Sequence, residues 1–151
     1  MANLKIYIRS ILVPVFLGGI VGFFISGSMN YSSLEKPLLA PPSILFPIVW
    51  TILYILMGVS YGRLESKSLM DSKSKFIYYL QLFVNLLWPI FFFVLKWRLF
   101  SSFWILLLVA FVFLMIIDFY QKDKLSGLLQ IPYLLWSIFA TYLTISIYLL
   151  N

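Results

Sequence analysis

The residues able to do chemistry in this 151-residue chain are few. It contains no His and no Cys. That removes imidazole acid–base catalysis, thiol nucleophiles, the usual zinc ligands and the commonest haem ligands together. The carboxylates are Glu35, Glu65, Asp71, Asp118 and Asp123, all among loop-like, charged stretches. With no other general base and no activated nucleophile, no catalytic or metal-ligating residue is expected. What is left is a set of flat rings and amides at helical spacing. Trp50, Tyr54, Met57, Gly58 and Tyr61 share one face of a helix. Gln81, Asn85, Trp88 and Phe92 share another, and Pro132, Trp136, Phe139, Ala140 and Leu143 a third. Three faces, each with a Trp, can meet around one cavity and stack on a planar guest. The plainer reading is helix packing, or anchoring at a water–lipid boundary, which suits Trp97 and Trp104. For Trp50, Trp88 and Trp136, spacing alone leaves packing and ligand contact equally open.

Asn85 sits at the middle of an apolar stretch, where an unpaired amide would cost several kcal/mol. It must face protein, water or a ligand; an interhelical hydrogen bond is the structural alternative. Pro89 cannot donate to the carbonyl four residues back, which is that of Asn85. A kink, a free carbonyl and a side-chain amide therefore coincide there, giving a greasy wall polar handles.

The elements that must position these faces follow from composition. The chain is 63% hydrophobic and 11% charged, against about 25% charged in a soluble domain. Its sixteen charged residues fall into five clusters: Lys5 and Arg9, Glu35 and Lys36, Arg63 to Lys75, Lys96 and Arg98, and Asp118 to Lys124. The charge-free windows 10–34, 37–62, 76–95, 99–117 and 125–151 are each long enough for a membrane helix, which needs about 20 residues. An all-α integral membrane protein is expected, a bundle of five transmembrane helices with no second domain. Spans are placed at about 7–27, 44–64, 76–95, 99–118 and 127–149. A soluble enzyme, a nucleic-acid module and a disulfide scaffold are excluded. The net charge of +6 marks membrane sidedness rather than a nucleic-acid partner.

With five spans, Lys5, Arg9, Arg63, Lys67, Lys73, Lys75, Lys122 and Lys124 share one side, and only Lys36, Lys96 and Arg98 the other. The positive-inside bias then places the N-terminus in the cytoplasm and the C-terminus outside, in the cell membrane. A basic start and Ser26-Gly27-Ser28 would also suit a cleaved leader. The long apolar run from Ile11 to Ile25, and Gly18 and Gly22 with Ser26 on one packing face, favour a retained helix. Segment 28–43 holds Pro37, Pro41 and Pro42 and reads as an extended lid over the bundle mouth. Pro47 falls in or near the first turn of helix 2. The 63–75 segment reads as a solvated connector, and the short link at 96–98 makes helices 3 and 4 antiparallel neighbours.

Three blocks carry a resemblance. Leu34-Glu35-Lys36-Pro37, Pro41-Pro42 and Phe46-Pro47-Ile48-Val49-Trp50 with Leu53-Tyr54 and Met57-Gly58 form the first. Gln81, Asn85, Trp88-Pro89 and Phe91-Phe92 form the second, and Pro132-Tyr133, Trp136 and Phe139-Ala140-Thr141 the third. Over the whole chain this resembles the translocator protein family, also called tryptophan-rich sensory proteins (TspO/MBR) or peripheral benzodiazepine receptors. The resemblance implies a five-helix bundle, often a homodimer, binding planar hydrophobic ligands such as porphyrins, haem precursors and sterols. A porphyrin would be ligand, not fixed cofactor. Carried over by position, Tyr31 and Pro41 belong to the lid. Trp50 and Tyr54 wall the pocket from helix 2, Asn85 and Trp88 from helix 3, and Trp136, Ala140 and Leu143 from helix 5. The chain departs from the pattern in having Asn30 and Leu39 where members carry first-loop tryptophans, and Trp104 where many have Asp. Tyr142 and Tyr148 are followed by no basic residue, so the animal members' sterol pattern is incomplete. Tetrapyrrole reception or carriage, with a part in tetrapyrrole regulation or stress response, is the leading expectation. Light-dependent porphyrin breakdown and a ligand-free membrane scaffold are the alternatives.

Overall fold

The apolar windows fold as helices in the computed structural model, which describes residues 2–151. Helix α1 spans Ala2–Ile25, α2 Leu45–Ser66, α3 Ser72–Pro89, α4 Arg98–Lys122, α5 Lys124–Leu128 and α6 Ile131–Leu150. Five helical stretches are long and apolar enough to cross a membrane: Asn3–Ser28, Leu45–Ser66, Ser72–Val94, Arg98–Lys122 and Lys124–Leu150. The protein is thus an all-α, multi-pass membrane protein. Local chemistry sets the boundaries. Asp71 caps α3, its carboxylate accepting from the Ser74 amide at 2.8 Å, and Asp123 caps α5 through Ser126. Pro132 occupies the first turn of α6 and Pro47 that of α2, where a missing N–H costs little. After Pro89 the chain widens into a π-helical turn, Ile90–Val94, closed by the Leu95 amide on the Ile90 carbonyl at 3.0 Å.

Helix α4 is the hub, packing on α3, α5 and α6. Ser101, Ile105, Leu108, Val112, Met115 and Phe119 line its buried face at three- and four-residue steps. Helix α1 pairs with α2 and touches α3. The intimacy of that pair comes from Gly58: a Cβ there would lie 2.4 Å from Ile11 Cα and 2.6 Å from the Ser10 carbonyl oxygen. The face expected from Gly18, Gly22 and Ser26 forms only in part. Gly18 abuts the Tyr54 ring, whereas a Cβ on Gly22 would meet nothing within 4 Å and Ser26 is exposed. Helix α1 lies along α2 over much of its length, Tyr7 against Gly62, Ile11 against Gly58 and Gly18 against Tyr54, while Val21 and Ile25 stay on the core and Gly22 faces away.

Helices α2 and α6 are not among the closely packed pairs. One end of the seam between them is bridged by α5, with the Ser60 hydroxyl donating to the Ser126 carbonyl at 2.6 Å. The other end is covered by the 29–44 segment. There Tyr31 donates to the Pro41 carbonyl at 2.8 Å, and Tyr142 of α6 to the Leu38 carbonyl at 2.6 Å. Asn151 brackets the Glu35 backbone. The expected extended lid forms only in part: a 3₁₀ turn at Tyr31–Ser33 is followed by hydrogen-bonded turns at Pro37–Ala40, with Leu39 at φ 73°, and at Pro42–Leu45.

Candidate functional site

Between α2, α3 and α6, beneath the lid, lies an aromatic-walled chamber. Helix α2 contributes Phe46 and Trp50, successive turns of one face. Trp88 comes from α3, and Phe92 and Phe93 from the π turn after it. Helix α6 supplies Trp136, Ala140, Leu143, Thr144 and Ile147, and Tyr31 closes the roof. The rings hold one another: Trp88 stacks on Phe92 at 5.3 Å, while Tyr31 meets Phe46 edge-on at 5.1 Å and Phe46 meets Trp136 likewise at 6.1 Å. The free volume is about 20 Å³, room for about one water and none for a planar guest. The walls nearly fill the chamber.

Two donors in its wall are unused. The indole N–H groups of Trp88 and Trp136 are buried and have no partner among the described residues. A cation stands close by: the Arg98 guanidinium lies over the Phe92 ring, 5.4 Å from its centroid, and its Nε and Nη2 are likewise unpartnered. Trp136 has a second exposure. With Val49, Ile52, Leu53, Pro132, Leu135 and Phe139 it lines an open, apolar groove of about 420 Å³ on the α2–α6 seam. One indole therefore separates chamber from groove.

The candidate residues divide cleanly. Tyr31, Trp50, Trp88, Trp136, Ala140 and Leu143 line the chamber. Pro41, Tyr54 and Asn85 are absent from its lining. Pro41 serves the lid through its carbonyl. Tyr54 donates to Asn85 Oδ1 at 2.8 Å, Asn85 Nδ2 donates to the Tyr133 hydroxyl at 2.7 Å, and that hydroxyl donates to Gln81 Oε1 at 2.6 Å. Gln81 Nε2 ends the chain on the Tyr78 carbonyl at 2.8 Å. The mid-membrane amide is thus saturated by neighbours on α2 and α6, and the interhelical hydrogen bond is the arrangement adopted. Tyr133 and Ser137, rather than Pro132 and Phe139, belong to the buried stripe of α6. Trp104 is no boundary anchor either, since its indole donates to the Val84 carbonyl of α3 at 2.8 Å. Trp97 is 52% exposed, as an anchor should be.

Phe46, Phe93, Thr144 and Ile147 complete the wall together with Phe92, which spacing puts on the Trp88 face. Phe46, Thr144 and Ile147 continue by one or two turns the faces of Trp50 and Ala140, a signal that was present. Phe93 was hidden, because only the extra residue of the π turn brings both 92 and 93 inward. Among the described residues, no three Asp or Glu side chains converge where a metal could be held.

Five membrane-crossing helices around an aromatic chamber, roofed by the first loop, define a small polytopic membrane protein whose internal site lies between helices. Residues 10–150 match the TspO/MBR family, and the chain belongs to it. It is 40% identical to the tryptophan-rich protein TspO of Archaeoglobus fulgidus, over 99% of both chains. It is 36% identical to the protein of that name from Bacillus cereus, over 96% of this chain and 88% of that one. The translocator protein homolog of Schizosaccharomyces pombe is 29% identical, over 93% of this chain and 88% of the other.

Proposed function

We propose that this protein is a membrane receptor or carrier for flat hydrophobic molecules, tetrapyrroles foremost, and that it takes part in tetrapyrrole regulation or the response to stress. The observation that carries this reading is the position of Trp136, one ring between a closed chamber and a groove open to the bilayer. Rotation of that indole joins the two into a slot with Trp50 and Trp88 on its inner walls, where a planar ring system can stack. The unpartnered indole N–H groups and the Arg98 guanidinium suit a guest with carboxylate edges, as porphyrins have. The names of the relatives, sensory and translocator among them, agree with reception or carriage. An N-terminus in the cytoplasm, an outward C-terminus and assembly as a homodimer complete the proposal.

The test is a titration of protoporphyrin into the detergent-solubilised protein, followed by intrinsic Trp fluorescence. Saturable quenching at one site per chain is expected. No quenching would leave the tryptophans as packing residues and the protein as a scaffold. Illuminating the complex with and without oxygen separates binding from breakdown, since a receptor returns the porphyrin spectrum unchanged.

A further inference from the structure

The end of the bundle remote from the lid holds a second pocket of about 140 Å³ between α1, α2 and α3. Arg9, Ser10 and Val13 reach it from α1, Tyr61 and Glu65 from α2, and Tyr78 and Tyr79 from α3. It shares no residue with the aromatic chamber. Its polar groups are unfinished. Ser10 is 5% exposed and Tyr78 1%, yet neither hydroxyl has a partner among the described residues, nor has the buried Oε2 of Glu65. Buried polar atoms are nearly always hydrogen-bonded, so three around one pocket point to a ligand that completes them.

The charges say which ligand. Glu65 uses Oε1 to accept from Arg9 Nη2, which leaves Oε2 requiring an N–H or O–H donor. The Arg9 side chain is 63% exposed, so its guanidinium keeps donors for an oxyanion. Tyr61, Tyr78 and Tyr79 pack with centroids 4.6 to 6.0 Å apart, and aromatic faces attract an ammonium. A molecule bearing a phosphate and a primary ammonium a short link apart satisfies every group. The pocket, at about 140 Å³, is several times roomier than the aromatic chamber at about 20 Å³, which suits a small polar head group and not a tetrapyrrole.

The surroundings settle the source. Leu12 and Phe16 lie one and two turns along α1 from Arg9, and Phe83 one turn along α3 from Tyr79, all exposed. Apolar ridges therefore run from the pocket toward mid-membrane, as acyl chains would. We propose that the pocket seats the head group of an aminophospholipid of the phosphatidylethanolamine type. The ammonium donates to Glu65 Oε2. The phosphate accepts from Arg9 and from the hydroxyls of Tyr78 and Ser10.

The test is native mass spectrometry of the full chain exchanged into micelles with equal amounts of phosphatidylethanolamine, phosphatidylcholine and phosphatidylglycerol. Phosphatidylethanolamine should be retained about tenfold over the other two, since one lacks the N–H donor and the other the cation. Glu65→Gln should reduce that preference by about tenfold. Tyr78→Phe loses a contact to the phosphate common to all three lipids. It should lower retention of every one of them by about tenfold and leave their order unchanged. Tyr78→Phe removes only an unpaired hydroxyl, so its lipid-free melting temperature stays at or above that of the parent, which separates a lost site from a lost fold. Equal retention of the three lipids by the parent, undiminished preference in Glu65→Gln, or undiminished retention in Tyr78→Phe would overturn the proposal. Displacement of the lipid by millimolar free phosphoethanolamine would also overturn it, by making the ligand a soluble aminoalkyl phosphate.

Discussion

At the scale of single residues, Trp136 and Asn85 have opposite roles, and their variants separate them. Trp136→Phe keeps an aromatic ring and loses an indole N–H that bonds to nothing. It should weaken protoporphyrin binding about tenfold, equivalent to about 1.4 kcal/mol, while the melting temperature of the empty protein changes little. An equal fall in stability would identify Trp136 as packing. Asn85→Leu should behave in reverse. It strands the hydroxyl of Tyr54 without an acceptor and deprives that of Tyr133 of a donor, at mid-membrane. A loss of about 1–3 kcal/mol is expected in thermal or denaturant unfolding, with porphyrin affinity nearly unchanged in the folded fraction. The sequence marks Asn85 as an amide that must be satisfied. It cannot say by whom, because Tyr54 and Tyr133 lie 31 and 48 residues away.

The helices and their termini carry different stakes. Gly58→Val would drive a side chain into the α1 backbone at Ser10 and Ile11, and α1 cannot yield without leaving α2. About 1–3 kcal/mol should be lost, whereas Gly22→Val, facing open space, should leave the melting curve where it was. Both glycines look alike in sequence, and only the packing of α1 against α2 tells them apart. Helix ends on the side away from the lid are held by carboxylates. Arg63, then Ser126, with Lys67, hold the Asp123 carboxyl well below the ordinary carboxylate range. Lys122 and the Ser74 amide do the same for Asp71. A depressed folded-state pKa stabilises the fold above the unfolded value and ceases to do so as pH falls through the folded one. Melting temperature should therefore drop progressively below about pH 4, and Asp123→Asn should flatten the acid side of that profile while lowering the plateau at neutral pH.

For the molecule as a whole, the sidedness of the membrane decides which pocket faces which compartment. The absence of cysteine gives a clean assay. Single Ser32→Cys and Ser68→Cys variants, both at exposed positions, would be treated in intact cells with a membrane-impermeant maleimide. The lid position should label from outside, and position 68 only after permeabilisation. The reverse pattern would turn the molecule over and place the lid in the cytoplasm.

Composition and charge clustering determined that the chain crosses a bilayer five times, because each window of about 20 apolar residues admits no other stable solution in lipid. Helical spacing determined which aromatic residues share a face of one helix, and it was the family resemblance, not spacing, that implied Trp50, Trp88 and Trp136 wall one pocket. Tertiary structure alone decided how those faces are rotated about their axes. It sent Asn85 and Tyr54 into a hydrogen-bond chain and turned Phe93 inward through a π turn. It also set one indole between a closed chamber and an open groove, and left the Arg9–Glu65 pocket unfinished at the far end. Spacing along one helix is a local property, whereas rotation and cavity shape arise from packing between segments distant in the chain, where no local pattern records them.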